Sequence, residues 1–188
     1  MTNSPPASPG PAALVVVMGV SGCGKTTVGA ALAQRLKVPY ADADDFHPEA
    51  NIAKMSAGIP LDDQDRAPWL SALAQWLRGH HETGAVLACS ALKRNYRDLL
   101  REGNDEVEFV HLHGDREVVA RRVAGRPGHF MPVALVDSQF ATLEPLEADE
   151  SGVTIDFDLP VDDIVAAVAT HLGAPAVILT TPRIGEAK

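Results

Sequence analysis

Gly19-Val20-Ser21-Gly22-Cys23-Gly24-Lys25-Thr26 carries the spacing GxxxxGK[ST], and the chemistry that spacing serves is the holding of a polyphosphate. Glycines at these places let successive backbone N–H groups curl into a concave nest with no Cβ atoms in the way. A helix that starts at the end of the nest adds its positive N-terminus. Lys25 is expected to lie along the β and γ phosphates as a catalytic cation, and Thr26 to place its hydroxyl on the Mg²⁺ that bridges them. The expected nucleotide contacts are therefore Gly19, Ser21, Gly22, Cys23, Gly24, Lys25, Thr26 and Thr27. A turn built only for structure would not need the Lys-Thr pair. A nucleotide and Mg²⁺ are the implied cofactors.

What is done with the γ-phosphate has to be read from other residues. Asp42 and Asp44 lie two apart in extended chain, so both carboxylates can reach one region: Asp42 toward the metal, Asp44 toward an acceptor hydroxyl whose proton it takes or positions. The bland alternative is a solvated acidic turn. His47, just before a proline, is either a loop residue or a substrate contact. Arg66 is either an ion-pair partner or a clamp whose planar fork suits a carboxylate. In SALKRNYR, residues 90–97, Lys93 and Arg97 share a helical face at i, i+4 while Arg94 turns aside, which makes Lys93 and Arg97 the candidates for an anionic substrate. Arg122 and Arg126 flank a connector hinged at Gly125 and Gly128, the composition of a lid that closes positive charge over phosphates and excludes water. A solvated basic helix end is the alternative there. Cys23 is either a filler in the loop or a thiol whose oxidation would block the nucleotide; reactivity requires exposure and a low pKa.

The elements that must position these groups follow from hydrophobic spacing. Leu14–Met18 has the length of a buried strand, and Val28, Ala31, Leu32 and Leu36 mark the inward stripe of the helix that follows. Tyr40 to Asp42 reads as a second strand, Ala85 to Cys89 as a third, Val107 to Leu112 as a fourth and Val153 to Phe157 as a fifth. Helices are expected from Pro48 to Met55, around Trp69, Leu73, Trp76 and Leu77, from Ala91 to Arg101, from Asp115 to Ala124, from Pro132 to about Leu143, and from Val161 to Leu172. The two tryptophans are expected in the core. Strands alternating with helices imply βαβ units: an α/β three-layer fold with a five-stranded parallel sheet and the ligands at the carboxyl ends of the strands.

The chain's 188 residues, 46% of them apolar, suit one well-packed domain, here residues 14–173 with a lid at about 125–131. Residues 1–13, rich in proline and without a positive start, read as a disordered leader and not a signal peptide. Residues 174–188 are expected to be an extension, with AVILTT available as an edge strand. A formal charge of −9 argues against nucleic-acid and anionic-membrane partners. Eight of the sixteen Lys and Arg nevertheless fall between Lys93 and Arg126, which suits a small anionic ligand. No apolar run reaches membrane-spanning length. Two cysteines, one in the phosphate loop and one at a strand end, read as reduced thiols and hence a cytoplasmic location.

The segments MGVSGCGKTT, DADDFHPEANIAKMSAGIPLDDQDRAPWL, CSALKRNYRDLLREG, GRPGHF and QFATLEP together resemble the P-loop (thermoresistant-type) gluconokinases. The likeness runs from Val17 to about Asp158, and the long second segment is the most discriminating. It implies a fold similar to nucleoside monophosphate kinases and shikimate kinase with a small lid. It also implies transfer of the ATP γ-phosphate to the C6 hydroxyl of D-gluconate, giving 6-phosphogluconate and ADP for carbohydrate catabolism, and a homodimer. By position it makes Asp44 the catalytic carboxylate that engages the acceptor hydroxyl, His47, Arg66, Lys93, His129 and Gln139 substrate contacts, and Arg122 and Arg126 lid arginines, Arg126 among the catalytic groups. The leader and the extension lie outside these segments. Two other readings stand beside it: a kinase for another small anion such as shikimate or a nucleoside monophosphate, and a nucleotide-dependent switch. Against the switch, there is no NKxD guanine signature, and the third strand ends in Ala88-Cys89-Ser90 where a Walker B strand would end in an acid.

Overall fold

Five strands and seven helices alternate along the residues described by the computed structural model, 12–125 and 133–173. In chain order they are β1 (Leu14–Met18), α1 (Lys25–Leu36), β2 (Tyr40–Asp42), a 3-10 turn (Ala43–Phe46), α2 (Glu49–Ser56), α3 (Asp63–Arg78), β3 (Ala85–Ala88), α4 (Arg94–Arg101), β4 (Val107–His113), α5 (Arg116–Ala124), α6 (Val133–Thr142), β5 (Gly152–Asp156) and α7 (Val161–His171). The strands form one sheet in the order β2-β3-β1-β4-β5, with every neighbouring pair parallel. Parallel pairing puts all five carboxyl ends on one edge.

Every residue of β1 is buried, because helices cover both faces of the sheet. Its side chains alternate between two cores, as a period of two requires. Val15 and Val17 join Val28 and Leu32 of α1, Val119 and Val123 of α5, and Ile164 and Val168 of α7. Leu14, Val16 and Met18 face the other way, toward Trp69, Leu70, Leu73 and Leu77 of α3 and Tyr96 and Leu100 of α4. Trp69 is 5% exposed and donates its indole N–H to the Ala43 carbonyl at 2.7 Å, a core residue with its polar atom satisfied.

Most element bounds fall within a residue or two of the expected ones, and one departure matters. The helix expected from Ala91 begins at Arg94. Ala91 is left-handed at φ 42° and Lys93 is extended at φ −101°, ψ 150°, so residues 90–93 form a loop at the sheet edge. α3 instead starts where an acidic stretch allows it, through a reciprocal capping box between Asp62 and Asp65. The expected leader (except residues 12 and 13), the lid beyond Gly125 and the extension from 174 lie outside the described residues.

β4 carries one polar side chain into the core. His111, opposite Met18 of β1 and Thr154 of β5, is 2% exposed, and neither ring nitrogen has a partner among the described residues. Burial, then His113 and Arg97, pushes its pKa down to about 4, so it is a neutral core residue at physiological pH. The unfolded chain takes up the proton near the ordinary histidine value and the folded chain does so only below it. Stability is therefore complete above about pH 6.5 and falls as pH drops toward 4, by roughly 3 kcal/mol at the limit. Burial lowers the pKa of His47 as well, and it contributes in the same direction. Urea denaturation between pH 7 and 4.5 is expected to show this loss, and His111→Leu is expected to flatten it.

Candidate active site

The loop leaving β1 is shaped by glycines that no other residue could replace without strain. Gly19 sits at φ 139°, where a Cβ would stand 2.8 Å from the Leu112 carbonyl oxygen. Gly24, at φ 102°, is the N-cap of α1 and turns the chain into the helix. The Gly19 N–H donates to the Ser90 carbonyl at 3.2 Å, which ties the loop to the segment after β3. Lys25 lies back across the loop and donates from Nζ to the Val20 carbonyl at 2.9 Å. Cys23 is 1% exposed and packs in the core, and burial pushes its thiol pKa up against the smaller opposing effect of Lys25. It is a filler, not a reactive thiol.

β2 delivers the two acids. Thr26 Oγ1 donates to Asp42 Oδ2 at 3.0 Å, which places a hydroxyl and a carboxylate, both hard oxygen donors, side by side at the mouth of the loop. Asp42 is held there by the Tyr40 hydroxyl at 3.3 Å and by the Asp44 N–H at 3.2 Å. The Tyr40 phenol is pushed up to about 12 by burial and by Asp42, so it stays a donor. Asp44 lies in the 3-10 turn with its side chain 90% exposed, and it faces the same 240 Å³ cavity as Lys25, Thr26, Asp42 and Ser90. His47 takes a different place from the expected substrate contact. Its side chain is 7% exposed, stacked on Trp69 at 4.5 Å between centroids, with Nε2 4.0 Å from Asp44 Oδ1. It backs Asp44 from the protein side.

A second, larger cavity of about 780 Å³ shares Ser90 with the first. Arg66, Tyr96, Lys93 and Asp63 form one wall of it. Lys93 Nζ donates to both Asp63 oxygens, at 2.9 and 3.1 Å, and the Tyr96 hydroxyl donates to Asp63 Oδ1. These bonds, Tyr96 first and then Lys93, hold the Asp63 carboxyl below the usual carboxylate range. Arg66 donates to the Leu61 carbonyl at 3.3 Å and stands 5.8 Å from the Tyr96 ring; among the described residues it pairs with no carboxylate. The site therefore offers two cations, one already balanced by Asp63, and a fixed array of hydroxyl and carboxylate groups.

Arg97 does not reach this cavity. It is 0% exposed; its Nε and Nη2 donate to Glu150 at 2.6 and 2.8 Å, and further donors meet the carbonyls of Ala91, Glu144 and Pro145 at 3.2, 3.0 and 3.2 Å. The i, i+4 argument fails because Lys93 precedes the helix. Arg97 points into the core below it and fixes the shape of residues 90–93. Arg94 turns away, as expected, into Asp98, Glu147 and Asp149.

On the far side of the phosphate loop, Arg122 pairs with Asp158 at 2.9 Å and lies 5.1 Å over the Phe157 ring. With Gly22, Thr27, Pro160 and Ile164 it lines a 470 Å³ cleft, mostly apolar, beside the cradle. Gln139 of α6 lies at the wall of the larger cavity, with its amide engaged to Ser21 of the phosphate loop. Arg126 and His129 lie outside the described residues. Sequence reasoning missed Tyr40, Asp63, Tyr96 and Glu150. Tyr96 had a signal, three residues past Lys93 in the same basic stretch, but Glu150 sits 53 residues from its partner and had none.

The shikimate kinase family pattern matches residues 21–154. The chain is 47% identical over 172 residues to a probable gluconokinase of Xenopus tropicalis, covering 82% of this chain and 90% of the relative. It is 50% identical over 141 residues to the thermosensitive gluconokinase of Escherichia coli K12, covering 73% and 75%. Among solved structures, a gluconokinase from Sinorhizobium meliloti superposes with a TM-score of 0.79 at 44% identity, covering 87% of this chain and 93% of that one.

The packing around Arg97 has a measurable consequence. Arg97→Leu leaves the buried Glu150 carboxylate with only the Glu147 N–H at 3.0 Å and Arg94 at 3.8 Å, and is expected to cost about 3–5 kcal/mol in urea denaturation, whereas Arg97→Leu with Glu150→Leu recovers part of that loss. Brief treatment of the native protein with iodoacetamide is expected to leave Cys23 and Cys89 unlabelled, with both labelled after denaturation, because each is buried with its pKa raised.

Proposed function

We propose a reaction for this chain on one premise: it belongs to the gluconokinases, within the shikimate kinase family of P-loop kinases. The chain is a kinase, and its reaction is ATP-dependent phosphorylation of D-gluconate at C6, giving 6-phosphogluconate and ADP. The observation that carries the assignment of roles is the shared wall at Ser90: phosphate cradle and Asp44 lie on one side of it, and Arg66 and Lys93 on the other.

A linear six-carbon acid fits that division. Its carboxylate meets Arg66 and Lys93, its middle hydroxyls meet Asp63 and the Tyr96 hydroxyl, and the far hydroxyl arrives at Asp44 beside the cradle. The triphosphate lies in the nest, with Lys25 leaving the Val20 carbonyl for the β and γ oxygens. The nucleoside extends into the apolar cleft under Arg122. Thr26 and Asp42 fit Mg²⁺, which takes few protein ligands, prefers oxygen, and keeps the rest of its shell for phosphate and water. Thr26 and Asp42 would hold such an ion, and the chemistry it would supply there is positive charge against the charge developing on the phosphates. Asp44 orients the C6 hydroxyl for in-line attack and takes its proton as the O–P bond forms and the bond to ADP breaks. Most of the acceleration is positioning and charge neutralisation. Arg126 and His129 belong to the same reading as lid and substrate groups, and residues 125–131 as the lid itself.

A homodimer rests on the resemblance to the family alone. A cytoplasmic location is supported by two buried free thiols, and no helix among the described residues is long and apolar enough to cross a membrane. The net charge of −9 disfavours a nucleic-acid partner.

In a coupled assay of ADP release, gluconate is expected to support turnover well above shikimate and nucleoside monophosphates; a preference for either of those would overturn the acceptor assignment. Asp44→Asn is expected to lower kcat by about 10²–10⁴ with little change in ATP affinity. Arg66→Ala is expected to raise KM for gluconate about tenfold or more, the worth of a charge-assisted hydrogen bond, while leaving KM for ATP near its original value.

A further inference from the structure

The Gln139 carboxamide is the one side chain of α6 that reaches the phosphate loop in the described hydrogen bonds, and it does so with both of its lobes. Its Oε1 accepts from the Ser21 N–H at 2.6 Å, and its Nε2 donates to Ser21 Oγ at 3.0 Å. The Ser21 N–H is one end of a peptide unit whose other end is the Val20 carbonyl. That carbonyl accepts from Lys25 Nζ at 2.9 Å and from the Cys23 N–H at 3.3 Å. One planar peptide is thus held from both ends, by Gln139 on one side and Lys25 on the other.

We propose that Gln139 is a positioning residue for the nucleotide, acting through the Val20–Ser21 peptide to set the orientation of the phosphate loop and the resting place of the Lys25 ammonium, rather than a ligand of the acceptor. The helix that carries it is itself well anchored. Val136 is 1% exposed in the core, Asp137 pairs with Arg116, and the Glu144 N–H beyond the helix end donates to the Leu92 carbonyl at 2.8 Å. Ser138 and Thr142 of the same helix wall the larger cavity. One rigid element therefore borders the acceptor space and braces the nucleotide cradle. A carboxamide is suited to this because it offers one acceptor to the N–H and one donor to the hydroxyl oxygen in a single plane. Both lobes are engaged by Ser21, with one lone pair and one N–H left on the group.

The proposal rests on the kinase reading but not on gluconate being the acceptor, because its decisive measurement is made without acceptor. ADP binding by calorimetry to wild type, Gln139→Leu, Ser21→Ala and the double variant is expected to show about five- to twentyfold weaker binding in Gln139→Leu, a smaller loss in Ser21→Ala, and no further loss in the double variant, since Ser21→Ala removes only one of the two bonds that Gln139→Leu removes. KM for gluconate is expected to stay within about twofold of wild type while kcat falls. Should Gln139→Leu fold poorly, Gln139→Glu supplies a second arm. Its carboxylate can accept from both the Ser21 N–H and the Ser21 hydroxyl, so the melting temperature is kept while its charge weakens ADP binding, more so at low salt. Unchanged ADP binding in Gln139→Leu, with a rise confined to KM for gluconate, would make Gln139 an acceptor ligand and overturn the proposal. A fall in melting temperature with ADP binding unaltered would overturn it too. Failure of gluconate as a substrate for the wild-type enzyme would contradict the acceptor assignment and leave this one standing.

Discussion

β1 is enclosed on both faces, and the direction in which it ends decides where everything else can be. A strand with 0–2% exposure at all five positions has a single register and a single exit, so the glycine turn that follows it is held rigidly at the sheet edge. The parallel pairing of β2 and β3 then brings Asp42 and the Ser90 loop to that same edge. The two cores on either side of β1 supply the driving force, and the phosphate loop is the place where that rigidity becomes chemistry. The loop is anchored at both ends, by the buried strand before it and by α1, which packs on the same core after it.

Around this centre, three tethers hold the acceptor side. Arg97 closes on Glu150 and four backbone carbonyls, and so fixes both the loop after β3 and the segment after α6. Asp63, at the start of α3, gathers Lys93 and Tyr96 onto one carboxylate. Lys54 of α2 reaches Asp65 at 2.6 Å, and the buried Asn51 donates to the Asp65 carbonyl, which ties α2 to the same helix start. The first is a buried pair and costs much to break; the second is largely exposed and the third half-buried, and they contribute chiefly geometry. Charge is spent here on the precise placement of groups more than on stability.

How much of this was legible in the sequence depended on the range of the interaction involved. The phosphate loop, the strand before it and Asp42 beside Thr26 are local patterns, and each appears where the residues indicated. The parallel five-stranded sheet followed from alternating strand and helix periodicities. Arg97 was misread because helical spacing was applied from Ala91, whose left-handed backbone is outside the helix, which starts at Arg94, three residues later than expected. The interaction that causes this, with Glu150, joins distant parts of the chain, and no local pattern reports it. His47 stood as either a loop residue or, by the resemblance, a substrate contact; the stacking on Trp69 that buries its ring is tertiary, and no local pattern reports it. Asp63 lies in the first turn of α3, where a helix N-terminus accounts for an acid without further need, so nothing local marks its role.

The central claim is that one cleft holds the triphosphate and the acceptor hydroxyl together, with Asp44 between them. A crystal of the protein with gluconate and a non-hydrolysable ATP analogue tests it most directly. The account predicts the C6 hydroxyl within about 3.2 Å of the Asp44 carboxylate and in line with the γ-phosphate, with the gluconate carboxylate on Arg66 and Lys93. Gluconate bound with its carboxylate toward the cradle, or with no hydroxyl near Asp44, would contradict it.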